Sequence, residues 1–174
     1  SGLGDIRKIG SGNVGTTNVL RTGNKFLALL VLIFDILKGY LPTFYILNNL
    51  FYLNNSNELF MYMLGSIAIL GHLFPFWLKF KGGKGVATYI GFIFAINYIL
   101  GIFFVFLWLF IAFIKKYSSL ASIFALLAVP FIMIFLDYKP SVFLFFFILS
   151  AVLILKHYSN IRRLIDKTES KINF

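Results

Sequence analysis

Four short polar segments hold the residues whose types could carry out chemistry, and the first of them is rich in glycine. It reads GSGNVGTTN from Gly10 to Asn18 and is followed by Arg21. Glycines permit positive φ angles and a close approach of the backbone to a ligand, so that successive N–H groups can form an anion-binding nest. Ser11 and two threonines add hydroxyl donors, and Arg21 can bind a phosphate in bidentate fashion. The segment indicates a phosphate site, with a flexible basic linker near the membrane as the alternative.

The second polar segment reads FKGGKGVAT, begins at Phe80 and leads into an apolar run. A helix that starts here presents free N–H groups and partial positive charge at its N-terminus, which suits phosphate, and Lys84 adds a full charge. The Walker A pattern is not satisfied, because neither Ser nor Thr follows the lysine. A basic turn that binds anionic lipid headgroups is the alternative. His72, which precedes this segment near Pro75, is predicted to be a buried, hydrogen-bonded structural residue.

The third and fourth polar segments read YSSLAS, ending at Ser122, and HYSNIRRL, ending at Leu164. The serines could cap the following helix or hold a ligand oxygen, and taken alone this segment favours capping. On a helix, His157 and Asn160 share a face with Leu164. Such an imidazole and amide near the membrane surface could hydrogen-bond a substrate hydroxyl or phosphate. The alternative for the fourth segment is a basic tail that binds anionic lipid.

The elements that must position these segments are strongly apolar. The chain has 174 residues, of which 60% are hydrophobic and 13% are charged, whereas soluble domains carry about 25% charged residues. This composition predicts an all-α integral membrane protein built as a polytopic helical bundle. The net charge of +10 suggests asymmetric loops rather than nucleic-acid binding. No cysteine is present, and two histidines with few carboxylates offer no metal-ligand set, so neither a metal nor a cofactor is expected.

The chain divides into six apolar runs, at roughly 26–48, 59–78, 86–97, 99–114, 118–136 and 141–155. A full span needs about 20 residues, so two of the runs are short. The segment 86–114 is either one tilted helix or a hairpin that turns at Asn97. A hairpin leaves 14 basic residues on one side and Lys139 alone on the other, whereas a single helix splits them 8 to 7. The positive-inside rule therefore predicts the hairpin, six spans, and a cytoplasmic face that carries all four polar segments.

Asp35 and Lys38 lie within the first apolar run, three positions apart. Ionisable groups at membrane depth are costly and usually pair or line a polar cavity. We predict an internal salt bridge that braces the bundle. An organic-phosphate transporter, or a membrane protein that binds phosphate or lipid headgroups, remains an alternative function. Transport is disfavoured because the sequence lacks an inverted repeat and its polar segments all face one side.

Taken in order, the segments DIRKIGSGNVGTTNVLR, GHLFPFWLKFKGGKGVAT, YSSLAS and HYSNIRRL closely resemble the motifs of the bacterial membrane acyl-phosphate:glycerol-3-phosphate acyltransferases of the PlsY type. The resemblance spans essentially the whole chain and implies a single transmembrane acyltransferase domain, 1–174, with cytoplasmic motif loops near 5–25, 79–88, 115–122 and 156–171. It implies transfer of an acyl group from acyl phosphate to the 1-hydroxyl of glycerol 3-phosphate. The products are lysophosphatidic acid and phosphate, in the first acylation step of bacterial phospholipid synthesis.

The same resemblance implies the location, the partners and the roles of individual residues. The enzyme is expected in the bacterial inner membrane, with its active site facing the cytoplasm, and depends on the soluble enzyme that makes acyl phosphate. Lys84, His157 and Arg21 are the expected catalytic residues. The residues expected to bind acyl phosphate are Ser11, Gly12, Asn13, Gly83 and Gly85. Those expected to bind glycerol 3-phosphate are Arg21, Lys84, Ser122, His157 and Asn160.

The chemistry implied by the resemblance does not require a protein nucleophile, because acyl phosphate is a mixed anhydride with a good leaving group. The attacking hydroxyl must still lose a proton. Either His157 or a phosphate oxygen of a substrate could accept it. Substrate-assisted transfer is the preferred hypothesis, because it needs only positioning and electrostatic stabilisation.

Two departures from the family pattern bear on these expectations. The family has a membrane helix before the first motif, and this sequence starts where that helix should end. We therefore expect an N-terminally truncated chain of a seven-helix protein, and expect residues 1–174 alone to be poorly stable and inactive. The family also usually places a glycine two positions before the tail glutamate, where this sequence has Lys167 before Glu169. This difference leaves the conformation of the tail open.

Overall fold

The computed structural model describes residues 15–50 and 57–172, and all regular structure in those ranges is helical. A short 3-10 helix, Phe76–Leu78, joins the third and fourth α-helices. The class predicted from composition is therefore confirmed, and the six apolar runs correspond to α2 through α7. The helices are α1 (Thr16–Leu20), α2 (Lys25–Leu50), α3 (Glu58–Leu73), α4 (Val86–Ile96), α5 (Tyr98–Lys115), α6 (Ser118–Phe135), α7 (Pro140–Leu155) and α8 (Tyr158–Ile165).

The segment 86–114 is a hairpin, as the charge distribution predicted. Asn97 has extended backbone angles, φ −156° and ψ 116°, and its side chain accepts a hydrogen bond from the Ile99 N–H at 2.9 Å. It therefore ends α4 and caps α5. The rings of Tyr89 and Phe104 lie 5.8 Å apart between centroids, whereas a continuous helix would separate these residues by about 22 Å.

The predicted number of six spans is not confirmed. Within the described ranges, four stretches are long and apolar enough to cross a membrane: Lys25–Asn49, Glu58–Leu78, Tyr98–Lys115 and Ser118–Phe135. A fifth is reached only if α7 and α8, which are bent by 62°, count as one broken span. α4 has 11 residues and reaches about 16 Å, against a hydrocarbon core of about 30 Å. The shortness of the apolar run 86–97 already indicated this, and the Gly85 and Asn97 caps set the ends of the helix.

Two glycines bring the backbones of α2 and α4 into close contact. A Cβ at Gly39 would lie 2.0 Å from the Thr88 carbonyl oxygen, and one at Gly91 would lie 2.0 Å from the Ile36 carbonyl oxygen. Small residues allow this kind of approach between membrane helices. The aromatic core, in which the Phe92 ring stacks 5.6 Å from Phe146, fixes α4 from its other side. The loop that precedes α4 therefore leads into a helix that is packed on two sides.

The predicted salt bridge within α2 is present. Lys38 Nζ lies 2.5 Å from Asp35 Oδ1. The same ammonium lies 2.5 Å from Nδ1 of His72, near the end of α3. The His72 side chain is only 9% exposed, so the prediction of a buried, hydrogen-bonded histidine is also confirmed.

Candidate active site

The glycine loop, which we define as residues 82–85, has a shape that only glycine permits at three of its positions. A Cβ at Gly82 would lie 2.1 Å from the His72 carbonyl oxygen, and one at Gly83 would lie 2.1 Å from His72 Nε2. Gly85 begins α4 with φ +78°, in the left-handed region, without a side-chain cap. The loop thus places Lys84 directly before the N-terminus of α4, as the second motif predicted.

Lys84 is surrounded by charged groups from three parts of the chain. The pKa of Lys84 is lowered to about 8, mainly by burial; the charge of Glu169 opposes this, and the charges of Arg163 and Arg21 add to it. We call Lys84, Arg21, Arg163 and Glu169 the cationic cluster. Three cations around one carboxylate leave an excess of positive charge in a largely buried place, which favours an anionic ligand.

Glu169 organises the polar side of this cluster. Its Oε1 accepts hydrogen bonds from Ser119 Oγ at 2.8 Å and Asn160 Nδ2 at 2.6 Å. Its Oε2 accepts one from Arg163 Nε, also at 2.6 Å. Burial by itself would raise the pKa of Glu169, but these three hydrogen bonds outweigh it and hold the pKa below its ordinary value. The carboxylate is therefore ionised and joins α6, α8 and the tail.

Two polar atoms of the same network are buried without a hydrogen-bond partner. They are the carbonyl oxygen of the Asn160 amide, Oδ1, and the guanidinium nitrogen Nη2 of Arg163. Buried polar atoms of this kind are nearly always satisfied in proteins, so these two are exceptions within the network. One is an acceptor and the other is a donor.

His157 is held as a neutral base by its position beyond the end of α7. Its Nδ1 lies 2.8 Å from the Leu153 carbonyl oxygen. Because a carbonyl can only accept, Nδ1 carries the proton and Nε2 is left as an acceptor. The pKa of His157 is lowered to about 4, mainly by burial; the Leu153 hydrogen bond partly opposes this, and the charge of Lys84 adds to it. The imidazole is thus uncharged at neutral pH and able to take up a proton.

A cavity of about 580 Å³ connects the polar residues to the apolar interior. Lys84, Ser119, Ser122 and His157 line its polar part. Its long apolar part lies between α2, α4 and α5. The apolar lining residues include Leu32, Ile36, Ile90, Val105 and Leu109. A ligand with a charged head and a hydrocarbon chain matches this shape and chemistry.

Five of the predicted site residues line a cavity. Lys84, Gly85, Ser122 and His157 all line the large cavity. Gly83 lies on the same loop and lines a neighbouring cavity of about 360 Å³. Ser122 uses its hydroxyl to accept from Trp108 Nε1 at 3.0 Å and to donate to the Ser118 carbonyl at 2.8 Å.

Asn160 and Arg21 do not line either cavity. Asn160 joins the site through Glu169, and Arg21 joins through its charge near Lys84 and a 3.4 Å hydrogen bond to the Ser170 carbonyl. Ser11, Gly12 and Asn13 lie outside the described residues. The first glycine segment is described only from Gly15 onward. The Thr16 hydroxyl oxygen is buried without a hydrogen-bond partner, and Thr16 lines the large cavity.

Three residues of the network were not among the predicted site residues: Ser119, Arg163 and Glu169. A signal for two of them was available in the sequence. Arg163 follows Asn160 at helical spacing, and Glu169 is one of only two carboxylates in the basic tail. A lone glutamate among cations near a membrane is costly unless it pairs. Ser119 gave no such signal, because its contact with Glu169 joins residues 50 positions apart.

Comparisons with known proteins identify the family of this chain. A family model described as glycerol-3-phosphate acyltransferase matches residues 1–167. The glycerol-3-phosphate acyltransferase of Pelagibacter ubique (strain HTCC1062) is 46% identical over 168 residues, covering 96% of this chain and 83% of that protein. The crystal structure of PlsY (YgiH), an integral membrane glycerol 3-phosphate acyltransferase, in its glycerol 3-phosphate form aligns with a TM-score of 0.88 and 36% identity, covering 97% of this chain and 82% of that chain. Its lysophosphatidic acid form gives a TM-score of 0.84 and 35% identity, covering 94% and 81%.

Proposed function

This chain belongs to the glycerol-3-phosphate acyltransferase family, and on that premise we propose that it transfers an acyl group from acyl phosphate to the 1-hydroxyl of glycerol 3-phosphate. The products are lysophosphatidic acid and inorganic phosphate. One observation carries the proposal: the excess positive charge of the cationic cluster lies at the polar part of a cavity whose remainder is apolar. Both substrates carry phosphate and one carries a lipid chain, so this arrangement fits the pair.

The reaction proceeds in one displacement at the acyl carbon. The 1-hydroxyl oxygen forms a bond to the carbonyl carbon, the bond from that carbon to the phosphate oxygen breaks, and phosphate leaves. The hydroxyl proton passes to an oxygen of the departing phosphate, or first to Nε2 of His157, which geometry leaves as an acceptor. Lys84 and the guanidinium groups stabilise the charge that moves onto the phosphate. A covalent acyl-enzyme intermediate is not needed, because the mixed anhydride is already activated.

We propose the roles of the site residues from the family resemblance. Acyl phosphate is bound by Ser11, Gly12 and Asn13 together with Gly83 and Gly85. Glycerol 3-phosphate is bound by Arg21, Lys84, Ser122, His157 and Asn160. We add Arg163, because its charge lies close to Lys84 and its guanidinium hydrogen-bonds the same Glu169 as Asn160.

We further propose that the site faces the cytoplasm of a bacterial inner membrane and receives acyl phosphate made by a soluble enzyme. Basic segments that are distant in sequence lie together at one end of the bundle. The Ile172 N–H donates to the Lys116 carbonyl at 2.7 Å, and Lys171 Nζ lies 5.9 Å from the centre of the Tyr117 ring. Lys139 lies between α6 and α7, at the opposite end of the bundle. This asymmetry supports the orientation by the positive-inside rule.

The experiment that tests the proposal measures phosphate release by the full-length protein in detergent. Palmitoyl phosphate is supplied with and without glycerol 3-phosphate, and palmitoyl-CoA replaces it in a third reaction. The Lys84→Ala variant is compared with Lys81→Ala, which removes an exposed lysine of the preceding turn. Release that requires both substrates, is absent with palmitoyl-CoA and is lost only in Lys84→Ala is the expected result. Binding of glycerol 3-phosphate without turnover would instead indicate a transporter or a sensor.

A further inference from the structure

A second set of ionisable side chains lies next to the glycine loop, and the reaction above gives it no role. It consists of Asp35 and Lys38 on α2 and His72 on α3, which we call the paired cluster. Lys38 Nζ lies 2.5 Å from both Asp35 Oδ1 and His72 Nδ1, and Asp35 Oδ1 lies 3.7 Å from His72 Nδ1. Charged groups in a membrane helix are costly and are retained where they perform a task.

The contact with Lys38 determines which nitrogen of His72 carries the proton. An ammonium group can only donate hydrogen bonds, so Nδ1 of His72 must accept. A neutral imidazole whose Nδ1 accepts carries its proton on Nε2. His72 is therefore in the opposite tautomer to His157, whose Nδ1 donates to a carbonyl.

His72 contacts the glycine loop through both its backbone and its ring. The Gly83 N–H donates to the His72 carbonyl oxygen at 3.2 Å. The ring nitrogen Nε2 fills the space that a side chain at Gly83 would need, since a Cβ there would lie 2.1 Å from it. The ring orientation and the path of the loop therefore depend on each other.

α2 gives this arrangement a fixed support. The close approach of Gly39 to the Thr88 carbonyl holds α2 against α4 next to Lys38. The cluster thus connects the helix before the loop, the helix after it and the loop itself. Removing the ammonium leaves the His72 ring without its hydrogen bond at Nδ1 and free to turn away from Gly83.

We propose that Lys38, held by Asp35, is a positioning residue: it fixes the tautomer and orientation of His72, and through His72 it fixes the backbone of Gly82 and Gly83 for the phosphate of the acyl donor. This inference deepens the proposed function and rests on it for the identity of the ligand. Asp35 and His72 line both cavities, whereas Lys38 lines only the smaller one and Lys84 only the larger one. Lys38 acts through His72 and does not touch the reacting atoms.

The kinetic test compares Lys38→Met with the conservative Lys38→Arg and with Lys139→Met, which removes a lysine from the opposite end of the bundle. In Lys38→Met the KM for palmitoyl phosphate should rise about tenfold, because a small displacement of a binding backbone is costly. The KM for glycerol 3-phosphate should rise less, Lys38→Arg should restore most of the loss, and Lys139→Met should match the unmodified protein. An unchanged KM for palmitoyl phosphate, or a fall in kcat alone that follows the folded fraction, would overturn the proposal.

A second measurement does not depend on turnover. Amide hydrogen exchange of residues 82–84 should be faster in Lys38→Met than in the unmodified protein and in Lys139→Met, because the Gly83 N–H loses its fixed partner. Unchanged exchange would contradict a positioning role whatever the kinetics show. If the unmodified protein does not use palmitoyl phosphate, the proposed function fails, and the exchange rates still decide the role of Lys38.

The third measurement reads the tautomers directly. The chain has only two histidines, so ¹⁵N-histidine labelling gives two rings, which His72→Gln and His157→Gln variants assign. We expect the proton on Nε2 of His72 and on Nδ1 of His157, and a change at His72 alone in Lys38→Met. A His72 ring that carries its proton on Nδ1, or that is unaffected by Lys38→Met, would refute the proposed link.

Discussion

The cationic cluster and the paired cluster both lie beside one short glycine loop, yet they differ in how their charges are balanced. Around Lys84, cations outnumber carboxylates, and buried polar atoms of Asn160 and Arg163 have no partner. In the paired cluster one ammonium contacts one carboxylate and one neutral ring. The first cluster carries an excess of positive charge, whereas the charges of the second balance each other.

This difference distinguishes a cluster suited to binding a ligand from a cluster that supports the protein's own geometry. Unbalanced charge and unpaired polar atoms lower the stability of the empty protein and become favourable only when a ligand enters. Balanced charge fixes geometry and gains nothing from a ligand. The two histidines follow the same division. Nε2 of His157 is a hydrogen-bond acceptor, whereas the protonated Nε2 of His72 lies against Gly83.

The largest expected effect concerns Lys84. Lys84→Met should lower kcat/KM by about 1,000-fold, because it removes a charge that stabilises the transition state. It should not lower the melting temperature, because it also removes a buried cation near two others. Kinetics and thermal unfolding in one detergent check both points, with Lys81→Met as the control. A large loss of stability in Lys84→Met would mean that Lys84 supports the fold, and the contrast between the clusters would fail.

The pH dependence of kcat/KM should show the two groups of the large cavity. Lys84, with a pKa of about 8, loses its charge above that pH, so activity should fall on the alkaline side. His157, with a pKa of about 4, becomes protonated below that pH and loses its acceptor. Lys84→Arg should move the alkaline fall to higher pH, because a guanidinium stays charged. A fall that keeps its position in Lys84→Arg would assign it to another group.

Glu169 is the one carboxylate of the cationic cluster, and its removal should lower the stability of the folded protein. Glu169→Gln leaves the Arg163 guanidinium without its ion pair and should cost about 2 kcal/mol of unfolding free energy. Because the pKa of Glu169 is lower in the folded protein, its contribution is present above its ordinary pKa and is lost as the pH falls through the folded value. Thermal unfolding at neutral and acid pH checks this. The exposed Asp166→Asn is the control, and equal losses in both variants would exclude a special role for Glu169.

The smallest expected effect is in the tail that carries Glu169. Lys167 has φ +58°, in the left-handed region that favours glycine. Lys167→Gly should raise the unfolding free energy by about 0.5 kcal/mol, since relief of strain outweighs the added chain entropy. Lys167→Ala removes the same charge but keeps the strain, so it should show no gain. A gain of equal size in Lys167→Ala would point to charge rather than backbone conformation.

The same position shows how far a sequence pattern extends into structure. The lysine at 167, where the resemblance leads one to expect glycine, left the conformation of the tail open. The structure keeps the left-handed conformation with a lysine in place, and Glu169 still makes its three hydrogen bonds. The surrounding contacts therefore override the preference of one residue, because that preference is worth only about 1 kcal/mol.

The all-helical membrane class, the hairpin at Asn97 and the pairing of Asp35 with Lys38 were determined by the sequence itself. Their physical causes are local or additive: apolar residues sum along a helix, basic residues are counted on each side of the membrane, and an i,i+3 pair shares one helical face. Four of the predicted site residues, Lys84, Gly85, Ser122 and His157, also meet in one cavity.

The environment of Lys84 and the tautomer of His72 were decided only by the tertiary structure. Each depends on which groups approach across long separations. Ser119 and Glu169 are 50 positions apart, and Arg21 and Ser170 are 149 apart. Hydrogen bonds and charge interactions act over a few ångströms in space, whatever the distance along the chain. A linear pattern therefore predicts which residues can bind phosphate, and the packing of helices decides which of them do so together.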